Sequence, residues 1–161
     1  MLFAASLDKT ALVSTVLIAG LFAAIVAVEF ATVGKAGLVV PSCTAVGLLL
    51  LYLLTFAYRA TGYVTTAREL IIKRPLADVH IRRADIKRVV ALAARDIKGS
   101  VRLFGVGGMF GYYGKFANSP LGRMTWYATR RDTPVLVTTT DHRQLILTPD
   151  DPAQFVRALA R

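Results

Sequence analysis

GVGGMFGYYGKF, from Gly105 to Phe116, is unlike the sequence on either side of it. Glycine stands at 105, 107, 108, 111 and 114, so every third position from 105 to 114 is Gly. Large apolar or aromatic side chains fill most of the gaps, and Lys115 comes just before the end. A P-loop requires G-x-x-x-x-G-K followed by Ser or Thr, the backbone cradling phosphate and the hydroxyl holding magnesium. Here Gly114–Lys115 has Met109 at the first glycine position and Phe116 at the hydroxyl position, so the motif fails twice. The dinucleotide fingerprint G-x-G-x-x-G fails at Phe110, and no parallel βαβ pattern surrounds it. Three readings stay open. The tract is a structural corner, its glycines allowing positive φ and close backbone approach while the rings pack over the mouth of a barrel. Alternatively, its aromatic and cationic side chains rest at a membrane interface. Or they anchor a protein partner. The last two readings share one candidate surface: Arg102, Phe104, Met109, Phe110, Tyr112, Tyr113, Lys115 and Phe116.

The segments flanking the tract read as short strands. YVTT and ELIIKR bracket a turn at Ala67–Arg68, and DVHIRR alternates Val79 and Ile81 with His80 and Arg82. RADIKRVVAL holds a turn and a Val-rich strand. Beyond the tract, MTWYATR alternates Met124, Trp126 and Ala128 with Thr125, Tyr127 and Thr129, and PVLVTTT with RQLILTP reads as a hairpin around Asp141–His142. Seven or so short strands with turn signals predict a small barrel or sandwich. DDPAQFVRALAR then predicts a helix, with Asp151 as N-cap, Pro152 at the first helical position, and Phe155, Val156 and Leu159 on one apolar stripe. Such a helix covers an open end or edge of the barrel.

The N-terminal third is of a different kind. Of 161 residues, the first 58 contain only four charges, Asp8, Lys9, Glu29 and Lys35. Ala11–Val28 and Leu38–Tyr58 are charge-free runs of 18 and 21 residues, close to the roughly 20 apolar residues a helix needs to span a bilayer. A cleavable signal fits poorly, because MLFAASLDKT is not basic and a second run follows almost at once. The expectation is a transmembrane hairpin in residues 1–59, with spans at about 10–33 and 37–58, and a folded domain in residues 60–161. Arg59, Arg68, Lys73 and Arg74 follow the second span, whereas the connecting loop has only Lys35. This bias places the N-terminus and the C-terminal domain in the cytoplasm. Glu29 is expected at a helix end near headgroups rather than as an intramembrane functional carboxylate.

Together these features resemble a family of bacterial pleckstrin-homology-like (PH-like) domain proteins. The resemblance runs through YVTTARELIIKRPLADVHIRRADI, VRLFGVGGMFGYYGKF, MTWYATR and LILTPDDPAQFVRAL, behind two N-terminal spans. It implies an α+β membrane protein: a two-helix transmembrane hairpin followed by a mainly antiparallel, seven-stranded PH-like β-barrel capped by a C-terminal α-helix. It also implies a binding module for lipids, peptides or proteins at the bacterial inner membrane. Two departures argue against phosphoinositide specificity. The first hairpin offers Arg68, Lys73 and Arg74 without the Lys-x(n)-Lys/Arg-x-Arg spacing, and the final helix carries Phe155 where such domains carry tryptophan.

The 18 Lys and Arg and 8 Asp and Glu from Arg59 onward carry the whole net charge of +10. Arg82, Arg83, Lys87, Arg88, Arg95 and Lys98 form a candidate basic patch toward an anionic leaflet. Positive-inside topology and solvated strand faces also account for this excess. Nucleic acid is the competing partner of a basic face, and membrane tethering argues against it. A homo-oligomer assembled through the barrel is the alternative to a lipid or protein ligand. Catalysis has little support. His80 and His142 are the only histidines, no H-E-x-x-H or G-x-S-x-G occurs, and the one cysteine, Cys43, lies at membrane depth. Asp150–Asp151 reads as helix-start charge. No catalytic, metal or cofactor site is expected, so the chain reads as a non-enzymatic interaction module.

Overall fold

The computed structural model describes residues 1–35 and 37–160. The two charge-free runs are helical, as α1 (Lys9–Thr32) and α2 (Val39–Tyr58). Asp8 caps α1, its carboxylate accepting from the Ala11 amide at 2.6 Å, and Pro41 falls in the first turn of α2, where a missing N–H costs nothing. At about 1.5 Å per residue the helices are roughly 36 and 30 Å long, and both are long and apolar enough to cross a membrane. Only 11% of each span is buried within the protein. The exposed Leu and Val of both helices form a large apolar surface, of the kind that marks a membrane or protein contact. These helices cover the segments where spans at about 10–33 and 37–58 are expected. Glu29 sits one turn from the end of α1, and Cys43 is exposed on α2.

The remainder of the chain forms two sheets. Strands β1 (Leu2–Ala4), β2 (Gly62–Thr65), β3 (Glu69–Lys73) and β4 (Val79–Arg82) pair in sequence order, all antiparallel. The second sheet comprises β5 (Ile86–Ala91), β6 (Val101–Gly107), β7 (Tyr112–Asn118), β8 (Gly122–Ala128), β9 (Val135–Thr139) and β10 (Gln144–Leu147), in the order β5-β9-β10-β8-β7-β6. Helix α3 (Pro152–Ala160) closes the fold, and its N-cap is Asp151, which accepts from the Gln154 amide at 2.8 Å.

Two expectations are corrected. Among the described residues nine strands follow the helices where seven or so were expected, and a tenth, β1, precedes them. The N-terminal residues therefore belong to the barrel and not to the hairpin alone: Leu2 pairs with Val64, Phe3 with Tyr63 and Ala4 with Gly62. The sheets are mainly antiparallel, as expected, with a parallel pairing between β8 and β10. Strand β9 crosses over to pair with β5, so β10 returns between β9 and β8 and runs parallel to β8.

The period of two sorts each strand between two cores. Phe3, Tyr63, Leu70, Ile72 and Ile81 from the first sheet meet Val135, Val137, Leu145 and Leu147 from the second, and α3 seals this core with Phe155 and Leu159. The Phe155 ring meets Phe3 edge-on at 5.1 Å and Tyr63 at 5.8 Å. Tyr63 is fully buried, its hydroxyl donating to the Tyr127 carbonyl at 2.6 Å and accepting from the Thr148 amide at 3.0 Å. The opposite face of the second sheet holds Tyr112, Phe116, Met124, Trp126, Ala128 and Ile146, covered by Ala11 and Ile97. Phe116 stacks on Trp126 at 4.5 Å.

Candidate functional site

The glycine tract is a β-hairpin whose tip meets both helices. Strands β6 and β7 pair so that Gly105 faces Gly114. A Cβ on Gly105 would collide with the Tyr113 carbonyl, and one on Gly114 with the Phe104 carbonyl. Only glycine permits so close a backbone approach. At the tip, Phe110 holds a left-handed φ of 56°, a conformation that costs a non-glycine residue about 1–3 kcal/mol and persists where the surroundings dictate it. Those surroundings are the helices. The Phe110 amide donates to Thr15 Oγ1 of α1 at 2.8 Å. Its ring meets Tyr52 and Phe56 of α2 edge-on at 5.0 and 5.4 Å. Met109 Sδ lies 3.7 Å from the Thr55 hydroxyl, and Tyr113 donates its own hydroxyl to the Thr55 backbone carbonyl. Burial pushes the Tyr113 phenol well above its ordinary range, which keeps the donor protonated. Tyr112 reaches Asp8, the cap of α1, at 3.4 Å.

This arrangement corrects the sequence-based surface. Met109, Phe110, Tyr112, Tyr113 and Phe116 are buried: Met109, Phe110 and Tyr113 pack against the helices, and Tyr112 and Phe116 lie with Trp126 in the second core. Arg102, Phe104 and Lys115 are exposed. The basic patch also divides. Arg83 donates to the Ala158 and Leu159 carbonyls at 3.1 and 2.7 Å and so caps the C-terminal end of α3. Arg82 pairs with Asp85 at 2.8 Å, and Arg95 lies 3.9 Å from Asp96. Lys87 and Arg88 are exposed on β5, and Lys98 is exposed after a short 3-10 turn, so the six residues are spread over several elements.

A cleft of about 630 Å³ opens beside the hairpin. Leu54 and Tyr58 of α2 form one wall, Phe104 and Val106 of β6 another, and Tyr113, Lys115 and Tyr127 lie on the sheet between them. Arg74, just past β3, completes the rim. Its Nε donates to the Ala77 carbonyl at 2.7 Å, and its guanidinium lies 5.4 Å from the Tyr58 ring and 5.9 Å from Tyr127. Tyr127 also packs against the first core. The cleft therefore continues the inner face of the β9–β10 half of the sheet, where the first sheet no longer covers it. Leu54, Tyr58, Arg74 and Tyr127 are not among the binding residues expected from sequence. Their signal was present only as the cationic flank of the second span.

A second, mostly apolar groove of about 530 Å³ lies between the helices, where Ala19, Ala23 and Ala27 of α1 face Ala45 and Leu48 of α2. Small residues at every fourth position let membrane helices approach closely. The histidines lie apart. His80 Nδ1 is 2.9 Å from Glu69 Oε2 across β3 and β4, and His142 occupies a turn at φ 61°. Among the described residues, no group of three or more His, Cys, Asp or Glu is placed to hold a metal ion.

Among known proteins, a family model described as a bacterial PH domain matches residues 61–161. No curated protein and no solved structure matches the chain.

Proposed function

The chain belongs to the bacterial PH domain family, and from that premise we propose that it is a membrane-anchored, non-enzymatic interaction module. One observation carries this reading: the β6–β7 tip grips both apolar helices through Phe110, Met109 and Tyr113. With α1 and α2 in a bilayer, that grip holds the barrel against the membrane surface in a fixed pose. The exposed cation Lys115, with Phe104 opposite it, then faces lipid headgroups or a protein partner, while Arg102, opposite Phe116, lies on the other face of the hairpin. The charge bias after the second helix supports a cytoplasmic position for this surface at the bacterial inner membrane.

Topology is the direct test. In a Cys43→Ala background, single cysteines at Lys98 and at Lys35 are probed with a membrane-impermeant maleimide on intact and opened cells. The reading expects position 35 to label in intact cells and position 98 only after opening. Release of the chain by alkaline carbonate, or labelling of position 98 in intact cells, overturns it.

A second reading has its own observation. Strand β6 is a sheet edge carrying exposed Val101, Leu103 and Phe104, and an apolar edge is a template for pairing with another chain. That arrangement favours self-assembly of the barrel. Sedimentation of the detergent-solubilised full chain expects an oligomer that Leu103→Lys dissociates, and a monomer at all concentrations removes the reading.

A further inference from the structure

We propose that the cleft between α2 and the β6–β8 face is a binding site for one anionic glycerophospholipid, its phosphate held between Arg74 and Lys115 and one acyl chain lying along Leu54 and Phe104. The proposal rests on the membrane-anchored reading and adds a ligand to it. It concerns a different place from the β2–β3 turn at Ala67–Arg68, where the family resemblance would put a headgroup.

Three observations support it. The first is charge. Lys73, Arg82, Arg95, Arg130 and Arg143 each have a carboxylate within 4.0 Å. Arg74 and Lys115, like Lys87, Arg88 and Lys98, have none among the described residues, and Arg74 and Lys115 share one cleft. The Arg74 side chain is braced at Nε by the Ala77 carbonyl, and its amide donates to Asp78 at 3.1 Å. Its position is thus fixed without neutralising its charge. A planar guanidinium suits a phosphodiester, and an ammonium beside it adds a second charge-assisted contact.

The second observation is the apolar wall. Phe104 is 77% exposed, and with Leu54, Tyr58 and Val106 it gives the cleft a hydrocarbon side that a soluble phosphate would leave wet. Gly105 and Gly114 line the cleft without contributing side chains. At about 630 Å³, the space falls within the roughly 300–1,000 Å³ of sites that take one small organic molecule.

The third is position. Leu54 and Tyr58 lie one turn apart at the C-terminal end of α2, where the chain leaves the span. A lipid reaches this cleft laterally, phosphate at the helix end and chain toward the span, without leaving the bilayer.

The test is native mass spectrometry of the full chain in detergent, titrated with phosphatidylglycerol. The expected result is retention of a single lipid, with phosphatidylcholine retained more weakly. Lys115→Gln and Arg74→Gln should each lower retention about fivefold, the effect of losing one interfacial charge, while Lys98→Gln, outside the cleft, should leave it unchanged. Because Arg74 braces its own turn, Phe104→Ser is the second probe. It is a surface change and should weaken phosphatidylglycerol retention without lowering the melting temperature. Soluble glycerol 3-phosphate should not displace the lipid. Equal retention by all variants overturns the site, a drop with Lys98→Gln matching that with Lys115→Gln reduces it to general charge attraction, and displacement by glycerol 3-phosphate rules out a lipid as the source of the phosphate. Carbonate release of the chain rejects the membrane reading itself, whereas a correctly inserted chain that retains no lipid rejects only this inference.

Discussion

The Tyr113 hydroxyl donates to the backbone carbonyl of Thr55 across 2.5 Å, joining the barrel to the end of α2. The last four carbonyls of a helix have no partner within it. Here the Arg59 amide, which would reach Thr55 in a continuing helix, bonds Phe56 at 3.3 Å instead. Tyr113 thus supplies a missing hydrogen bond and fixes the angle at which the sheet meets the helix. The same residue lines the cleft beside the hairpin, so the joint and the cleft share a side chain.

Tyr113→Phe keeps the ring and deletes the donor. It should destabilise the joint by about 1–3 kcal/mol, the cost of leaving a buried acceptor unpaired. Hydrogen exchange of the full chain in detergent should show the loss at Phe56–Thr61, with the β9–β10 hairpin unchanged. Uniform loss of protection would mean that the hydroxyl supports the whole fold rather than the joint.

Gly105 and Gly114 make a sharper comparison. Both hold φ near +117° and face each other at collision distance. Gly105→Ala or Gly114→Ala combines positive-φ strain with overpacking, together about 2–4 kcal/mol. Gly107→Ala on the same strand meets only the Arg102 side chain, at ordinary contact distance, and should lie within about 1 kcal/mol of the parent. Thermal denaturation of the three variants checks the ranking, and equal melting temperatures would remove the close-approach argument.

These positions also mark how far the sequence could be read. The helices were legible because a charge-free run of about 20 residues admits few other structures, and most strands because Val79–Ile81 and Met124–Trp126–Ala128 alternate with period two. Strand β1 was not, since three residues carry no period and their partners lie some 60 positions away. The aromatic residues of the tract were identified, but their direction was not. Alternation places a side chain on one face of a strand without saying what covers that face, and here helices from the other end of the sequence cover it. The cleft was hidden for the same reason: Leu54, Arg74, Phe104 and Lys115 come together only when α2, β3 and the β6–β7 hairpin are assembled.

The involvement of β1 changes what the isolated barrel should do. A fragment of residues 60–161 loses Phe3 from the first core, where it packs against Phe155, and exposes the β2 edge that Leu2–Ala4 covers. Removing a buried phenylalanine costs about 3–5 kcal/mol, and an uncovered edge invites aggregation. The fragment should therefore be poorly soluble, and fusing residues 1–8 to it through a flexible linker should restore a cooperative melting transition. A fragment as stable as the fused form would show that β1 is dispensable.

The hold on β1 should also weaken in acid. Ser6, between β1 and α1, donates its amide and hydroxyl to Asp150 at 2.9 and 2.6 Å, Arg130 adds a third contact at 3.1 Å, and the Asp150 amide donates back to Ala4 at 3.0 Å. Partial burial pulls the Asp150 carboxyl upward, but the Ser6 hydrogen bonds and the Arg130 charge outweigh it and hold the group below its ordinary 3.8. A carboxyl lowered in the folded state stabilises that state fully above its unfolded value, and the contribution is lost as pH falls through the lowered value. Protection of the Tyr63 and Thr65 amides should thus be flat from pH 7 to about 5 and fall below about pH 4. Asp150→Asn cannot ionise, so it should start lower at neutral pH and lose this part of the acid dependence. If the variant keeps the parent's full acid transition, the loosening arises from other carboxylates, of which Asp78 and Asp141 are also held low by their Lys73, Thr139 and Arg143 partners.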